Sequence, residues 1–146
     1  MRMIAFDVGA QRTGVAVSDA TQTLASPFRV LRGVHVLHEA LAIIRDLEAE
    51  DGVEAIVIGL PLHLDGTPTG QTPRARAFAG ALGSRLSLPI HLQDERLTSV
   101  DAEERLAATD RDWRSRKQKL DAAAAAIILQ DFLDARARAR GLAGAD

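Results

Sequence analysis

Ala55-Ile56-Val57-Ile58 is the segment that most narrows the choice of fold. It is an unbroken apolar run too short for a helix, and it lies between two stretches whose apolar residues recur at helical spacing. A strand of that kind is buried on both faces, as in a parallel sheet covered by helices. The helical stripe before it is Val36, Leu37, Ala40, Leu41, Ile44 and Leu47, closed by Gly52. The stripe after it is Ala75, Phe78, Ala79, Leu82 and Leu86, with Thr72 as expected N-cap and Pro73 in the first turn. Pro89-Ile90-His91-Leu92 then reads as a further short strand.

Upstream, three apolar runs are joined by connections too short for a crossover. They are Met3–Phe6, Thr13–Ser18 and Leu24–Leu31, with Gly9 and Gly14 bracketing the first turn. Pro27 suits an edge strand because it has no amide to donate. Short connections give antiparallel neighbours, and the two strand–helix–strand crossovers give parallel ones of right-handed connection. The expected architecture is an α/β fold with a five-stranded mixed sheet of order 3-2-1-4-5, its first three strands antiparallel. Two more helices are expected, one from Thr98 or Ser99 to about Ala108 and a long one from about Asp121 to Arg138. The 146 residues are expected to form a single domain, with residues 139–146 as a loose tail.

Composition excludes several functions. With no cysteine, disulfides, thiolate metal sites and cysteine nucleophiles are ruled out. The longest apolar run, Ala122–Leu129, is far short of a membrane span, and Asp7 interrupts any leader-like run, so a cytoplasmic protein is expected. The net charge of −2 removes any global attraction to polyanions. Nucleic-acid contact therefore has to come from a local patch. Arg111-Asp112-Trp113-Arg114-Ser115-Arg116-Lys117-Gln118-Lys119 supplies one, with five basic residues against one acidic, and is read as a basic loop before the last helix. It holds both lysines of the chain and its single tryptophan.

Three acids stand where chemistry is expected. Asp7 ends a central apolar strand, where a lone carboxylate is costly to desolvate, and Gly9 lets the backbone pass close by. Glu95, in Asp94-Glu95-Arg96, follows the fifth strand at the sheet edge where open α/β sheets place ligands. Asp121 opens the long helix. The plain alternatives are a strand-end turn former for Asp7, a surface partner of Arg96 or Arg105 for Glu95, and a helix cap for Asp121. If the three converge, they cannot all stay ionised without a cation. An all-oxygen set selects a hard ion, Mg²⁺ or Mn²⁺, and two such ions suit phosphodiester hydrolysis. The four histidines show no ligand spacing.

Four segments together resemble one family. They are Met3-Ile-Ala-Phe-Asp-Val-Gly-Ala-Gln-Arg-Thr-Gly-Val-Ala-Val-Ser-Asp19, Gly59-Leu-Pro-Leu-His-Leu-Asp-Gly66, Asp94-Glu-Arg-Leu-Thr-Ser99 and Lys119-Leu-Asp121. The family is the YqgF/RuvX type, which comprises Holliday-junction resolvase-like proteins linked also to maturation of the pre-16S rRNA 5′ end. The resemblance implies an RNase H-like fold and a metal-dependent endonuclease acting on precursor rRNA or branched DNA. It also implies catalytic, metal-holding roles for Asp7, Glu95 and Asp121 with Mg²⁺ or Mn²⁺. Arg12 and Arg96 would meet phosphate, with Arg96 alternatively orienting Glu95, and Arg114, Arg116, Lys117 and Lys119 would face the nucleic acid. Monomer and homodimer both remain open. Two positions depart from the pattern. Gln11 stands where many relatives have lysine, and Gly59-Leu60-Pro61-Leu62 stands where RuvC-type resolvases carry a carboxylate. Two other readings compete. Asp7–Ala16 resembles the first phosphate loop of actin-like ATPases, which suggests a nucleotide-binding domain, and the basic stretch is compatible with a non-catalytic nucleic-acid-binding module. Asp65-Gly66 is read as a turn.

Overall fold

The computed structural model describes residues 1–33, 35–96 and 113–144, excepting the side chains of residues 113–121 and 142–144. Its elements are β1 (Arg2–Val8), β2 (Arg12–Ser18), β3 (Ala25–Arg32), α1 (Val36–Glu50), β4 (Val53–Leu60), α2 (Thr72–Gly83), β5 (Ile90–Asp94) and α3 (Trp113–Gly144). The sheet order is β3-β2-β1-β4-β5, with β1–β2 and β2–β3 antiparallel and β1–β4 and β4–β5 parallel. This is the topology expected from connection length. Pro27 does lie on the edge strand, opposite Ala16, where the β2–β3 register shifts.

Alternation along β1 divides the core. Ile4, Phe6 and Val8 face α1 and α2, packing with Leu41, Ile44, Ala75 and Leu82. Met3 and Ala5 face the other way and pack with Ala125, Ile128, Leu129 and Leu133 of α3. Asp7 shares the second face by parity, so the last residues of β1 point alternately toward α3 and toward α1 and α2.

Helix α3 is fixed by polar ties along its length. Gln130 donates to the Thr23 carbonyl and accepts from the Ala25 amide, both at 2.9 Å. Arg136 pairs with Glu54 at 2.9 Å, at the start of β4, and its guanidinium holds the Glu54 carboxyl below the usual range. The His91 and Phe132 rings stack with centroids 5.0 Å apart. Because Arg136 lies over the start of β4 and Ile128 over Gly59 near its end, α3 runs against the strand direction. Its N-terminal half therefore points to the C-terminal edge of β1 and β4.

Three local expectations change. Residues 113–119 are the first turns of α3, not a loop. Arginine, lysine and glutamine are good helix formers, and without an apolar stripe the sequence does not mark the segment as a helix. The helix also continues through residue 144, over most of the stretch expected to be a loose tail. Thr72 is the first residue of α2, after the N-cap Gln71, and is not the cap itself. It is buried, its hydroxyl donates to the Pro61 carbonyl and accepts from the Thr69 amide at 2.8 Å, and so it ties α2 to the loop after β4. The helix expected over residues 98–108 lies outside the described residues.

Candidate active site

Asp7 is the next-to-last residue of β1. Gly14 of β2 stands opposite it, and the parallel register Phe6↔Ile58 puts Gly59 of β4 beside it. Between Asp7 and β2 the chain turns tightly, with the Gly9 amide donating to the Arg12 carbonyl at 2.8 Å. A β-carbon on Gly9 would lie 2.7 Å from that oxygen, which is why glycine is needed there. Arg12 is the first residue of β2 rather than part of the loop.

Glu95 follows β5 directly and its amide donates to the Leu60 carbonyl at 3.2 Å, continuing the β4–β5 ladder one step. Its side chain turns back across β4. A β-carbon placed on Gly59 would lie 2.8 Å from Oε2 of Glu95 and 2.5 Å from Cδ1 of Ile128. The carboxyl thus occupies the space a side chain at position 59 would take, and so reaches Asp7 on β1 across the intervening strand. Burial pushes the Glu95 carboxyl up to about 9, helped by the negative charge of Asp7, a hydrogen bond with Asp7, and the charge of Asp94. At neutral pH Glu95 keeps its proton and donates it to the Asp7 carboxylate. The pair expected from sequence is therefore brought together, with one proton between two carboxyl groups.

Arg96 pairs with its neighbour Asp94. Its Nε donates to Oδ2 of Asp94 at 2.7 Å, with Nη2 at 2.6 Å from the same oxygen, and its amide donates to Oδ1 at 2.9 Å. This contact holds the Asp94 carboxyl below its usual range. Nη1 donates to the Leu64 carbonyl at 3.0 Å, joining the end of β5 to the turn after β4. That turn is the expected Asp65-Gly66 turn. Asp65 Oδ1 accepts from the Thr67 amide at 2.9 Å, and Gly66 has φ of 88°. Arg96 thus orients the segment carrying Glu95 through Asp94 and Leu64.

Asp121 lies on α3 seven residues before Ile128, about two turns nearer the C-terminal edge of the sheet. Arg114, Arg116, Lys117 and Lys119 occupy the turns before it. The side chains of all five lie outside the described residues. Among the described residues no group of three or more His, Cys, Asp or Glu forms a metal cluster, and no helix is long and apolar enough to cross a membrane.

Sequence reasoning missed the part played by Gly59. Reading only the strand end, it registered a missing carboxylate. The signal lay in the sheet order, because a glutamate on the fifth strand can reach the first only over a position without a side chain.

The donor set fits a hard divalent ion. Two carboxyl groups that share one proton in a half-buried site offer oxygen ligands whose mutual repulsion such an ion would relieve.

A five-stranded sheet of this order, with an acid pair at its C-terminal edge beneath a long helix, defines an RNase H-like fold of the resolvase type. The T. thermophilus RuvC structure described as "in complex with Holliday junction substrate" has this fold, with a TM-score of 0.54 at 15% identity, covering 93% of this chain and 95% of RuvC. A family model described as "RuvX: Holliday junction resolvase" matches residues 1–135, and the chain belongs to that family. Among its relatives is a protein of Chloroflexus aurantiacus named "Putative pre-16S rRNA nuclease", 43% identical over 134 residues, covering 92% of this chain and 87% of the relative. A protein of the same name from Maridesulfovibrio salexigens is 44% identical over 136 residues, covering 91% of this chain and 98% of the relative.

Proposed function

We propose that the protein is a divalent-metal-dependent endonuclease that hydrolyses phosphodiester bonds in structured nucleic acid, with the precursor of 16S rRNA as its substrate. The observation that carries this reading is the Asp7–Glu95 pair at the C-terminal edge of the sheet, the Glu95 carboxyl lying over Gly59 of β4 and bonded to Asp7 on β1. The names of its relatives support the RNA substrate.

Asp7, Glu95 and Asp121 would hold Mg²⁺ or Mn²⁺, two ions in all. Such ions lower the pKa of water and offset charge at the phosphate. The chain's own groups do the rest. Asp7 on β1 and Glu95 directly after β5, on either side of β4, keep their spacing without reorganisation. Arg96, through Asp94, keeps Glu95 turned over Gly59. Arg12 at the start of β2, with Arg114, Arg116, Lys117 and Lys119 on the first turns of α3, would neutralise phosphate oxygens of the strand. Four cations within six residues would concentrate positive charge before Asp121, so binding should weaken steeply with salt.

The matched family and the names of its relatives favour this reading over the nucleotide-binding one. The description of the matching family keeps a second reading open, cleavage of four-way DNA junctions. Cleavage of a precursor rRNA fragment spanning the 16S 5′ end, beside a four-way DNA junction, in Mg²⁺ and Mn²⁺, decides between them. RNA-selective, chelator-sensitive cutting is expected, and cutting of the junction alone would replace the substrate assignment.

A further inference from the structure

On the face of the sheet that α3 covers, the two central parallel strands are apolar until their last row. Met3 and Ala5 of β1 and Ala55 and Val57 of β4 are buried there against Ala125, Ile128 and Leu129. The row beyond them runs from Asp7 on β1 through Gly59 on β4 to Gln93 on β5, as the registers Phe6↔Ile58 and Gly59↔Gln93 require. Gln93 belongs to this face because His91, two residues earlier, stacks on Phe132 of α3, whereas Ile90 packs with the core on the other side. Glu95 lies over Gly59, in the middle of the row. We propose that the Gln93 amide hydrogen-bonds the ribose 2′-hydroxyl of a nucleotide next to the bond that is cut, and so selects RNA over DNA at the acid pair. This rests on the RNA-nuclease reading above and assigns a residue to its choice of sugar.

The side chain of Gln93 is unspent. It is half-buried, it has no hydrogen-bond partner among the described residues, and it takes no part in the Asp7–Glu95 pair. Both ends of its amide are therefore open to a group that arrives with the substrate. The chemistry of that group follows from the amide. A phosphate oxygen only accepts and is best met by a cation, whereas a neutral amide that donates and accepts matches a hydroxyl, which does both. Along a strand whose phosphate sits at the acid pair, the sugars are the next groups, and in RNA each carries a 2′-hydroxyl that DNA lacks. Two strand spacings separate Gln93 from Asp7, about 10 Å between α-carbons, which leaves room for a phosphate at the acids and its neighbouring sugar at the glutamine.

The test is a two-by-two cycle on the full chain. Wild type and Gln93→Met are each given the precursor rRNA fragment spanning the 16S 5′ end, all-ribose or with a single 2′-deoxy substitution placed in turn at the nucleotides flanking the cut. At one position, loss of the hydroxyl should slow single-turnover cleavage by wild type about tenfold. Gln93→Met should slow cleavage of the all-ribose fragment by a similar factor, and the two changes together should cost no more than either alone. Methionine keeps the length of glutamine and removes both hydrogen-bonding ends. Should that variant fold poorly by circular dichroism, Gln93→Leu takes its place. Losses that multiply at every position, or wild-type cutting of the all-ribose fragment by a folded variant, would overturn the proposal. The two readings fail separately. Cutting of the four-way DNA junction alone, or of neither nucleic acid, removes the RNA reading and the sugar contact with it, while RNA cutting with multiplying losses removes the role of Gln93 alone.

Discussion

Binding of Mg²⁺ or Mn²⁺ should expel one proton from the acid pair. Glu95 is pushed up to about 9 by burial and by Asp7, so at pH 7 it is about 99% protonated. An ion that takes both carboxyl groups as ligands must displace that proton, at a cost of about 3 kcal/mol for two pH units. Calorimetry in buffers of differing protonation enthalpy reads the number directly, as the slope of observed heat against buffer heat. The slope should be about one proton at pH 7 and about half that at pH 9, and apparent affinity should rise about tenfold per unit between pH 6 and 8. In Glu95→Gln the release should vanish and the affinity should fall. A slope near zero at pH 7 in the wild type would mean that Glu95 is already ionised beside Asp7, and the shared-proton reasoning would be refuted.

Metal-free stability should carry the opposite sign of pH dependence from an ordinary paired carboxylate. Folded Glu95 keeps its proton from its ordinary 4.5 up to about 9, unfolded Glu95 does not, so stability falls as pH rises through that window. Thermal melts in chelator should show the decline, and Glu95→Gln should flatten it. Gly59→Ala puts a methyl 2.5 Å from Ile128 and 2.8 Å from Glu95, so it should cost about 1–3 kcal/mol of stability and most of the activity. A stable Gly59→Ala protein that cuts at the wild-type rate would show that Glu95 need not lie over β4. Arg96→Met removes a half-exposed pair worth about 0–1 kcal/mol, yet kcat should fall well beyond that because the segment aiming Glu95 loses its ties to Asp94 and Leu64. Equal small losses in stability and kcat would reduce Arg96 to an ordinary surface pair.

Much of this molecule could be read from the chain. Sheet order followed from connection length and from the apolar run of β4, because crossover geometry admits few alternatives. The meeting of Asp7 and Glu95 followed from placing both at one edge of parallel strands. Other features depend on tertiary context. That Gly59 leaves room for Glu95 requires knowing that β4 separates β1 from β5. The helical state of residues 113–119 was masked by their charge, which resembles a loop when no apolar stripe marks a face. Thr72 looks like a cap in sequence, and only the position of Pro61 shows that it is a tie inside the helix. Arg96, expected on Glu95 or a phosphate, finds Asp94 two residues away, a local partner that competes with any longer-range one.

The account rests on the acid pair being the seat of hydrolysis. Its most direct test is the single-turnover cleavage rate of Asp7→Asn against wild type, on whichever nucleic acid the wild type cuts in Mg²⁺ or Mn²⁺, with circular dichroism confirming the fold. The rate should fall by more than about a hundredfold while substrate binding is retained. A folded Asp7→Asn protein that cuts as fast as the wild type would contradict the account.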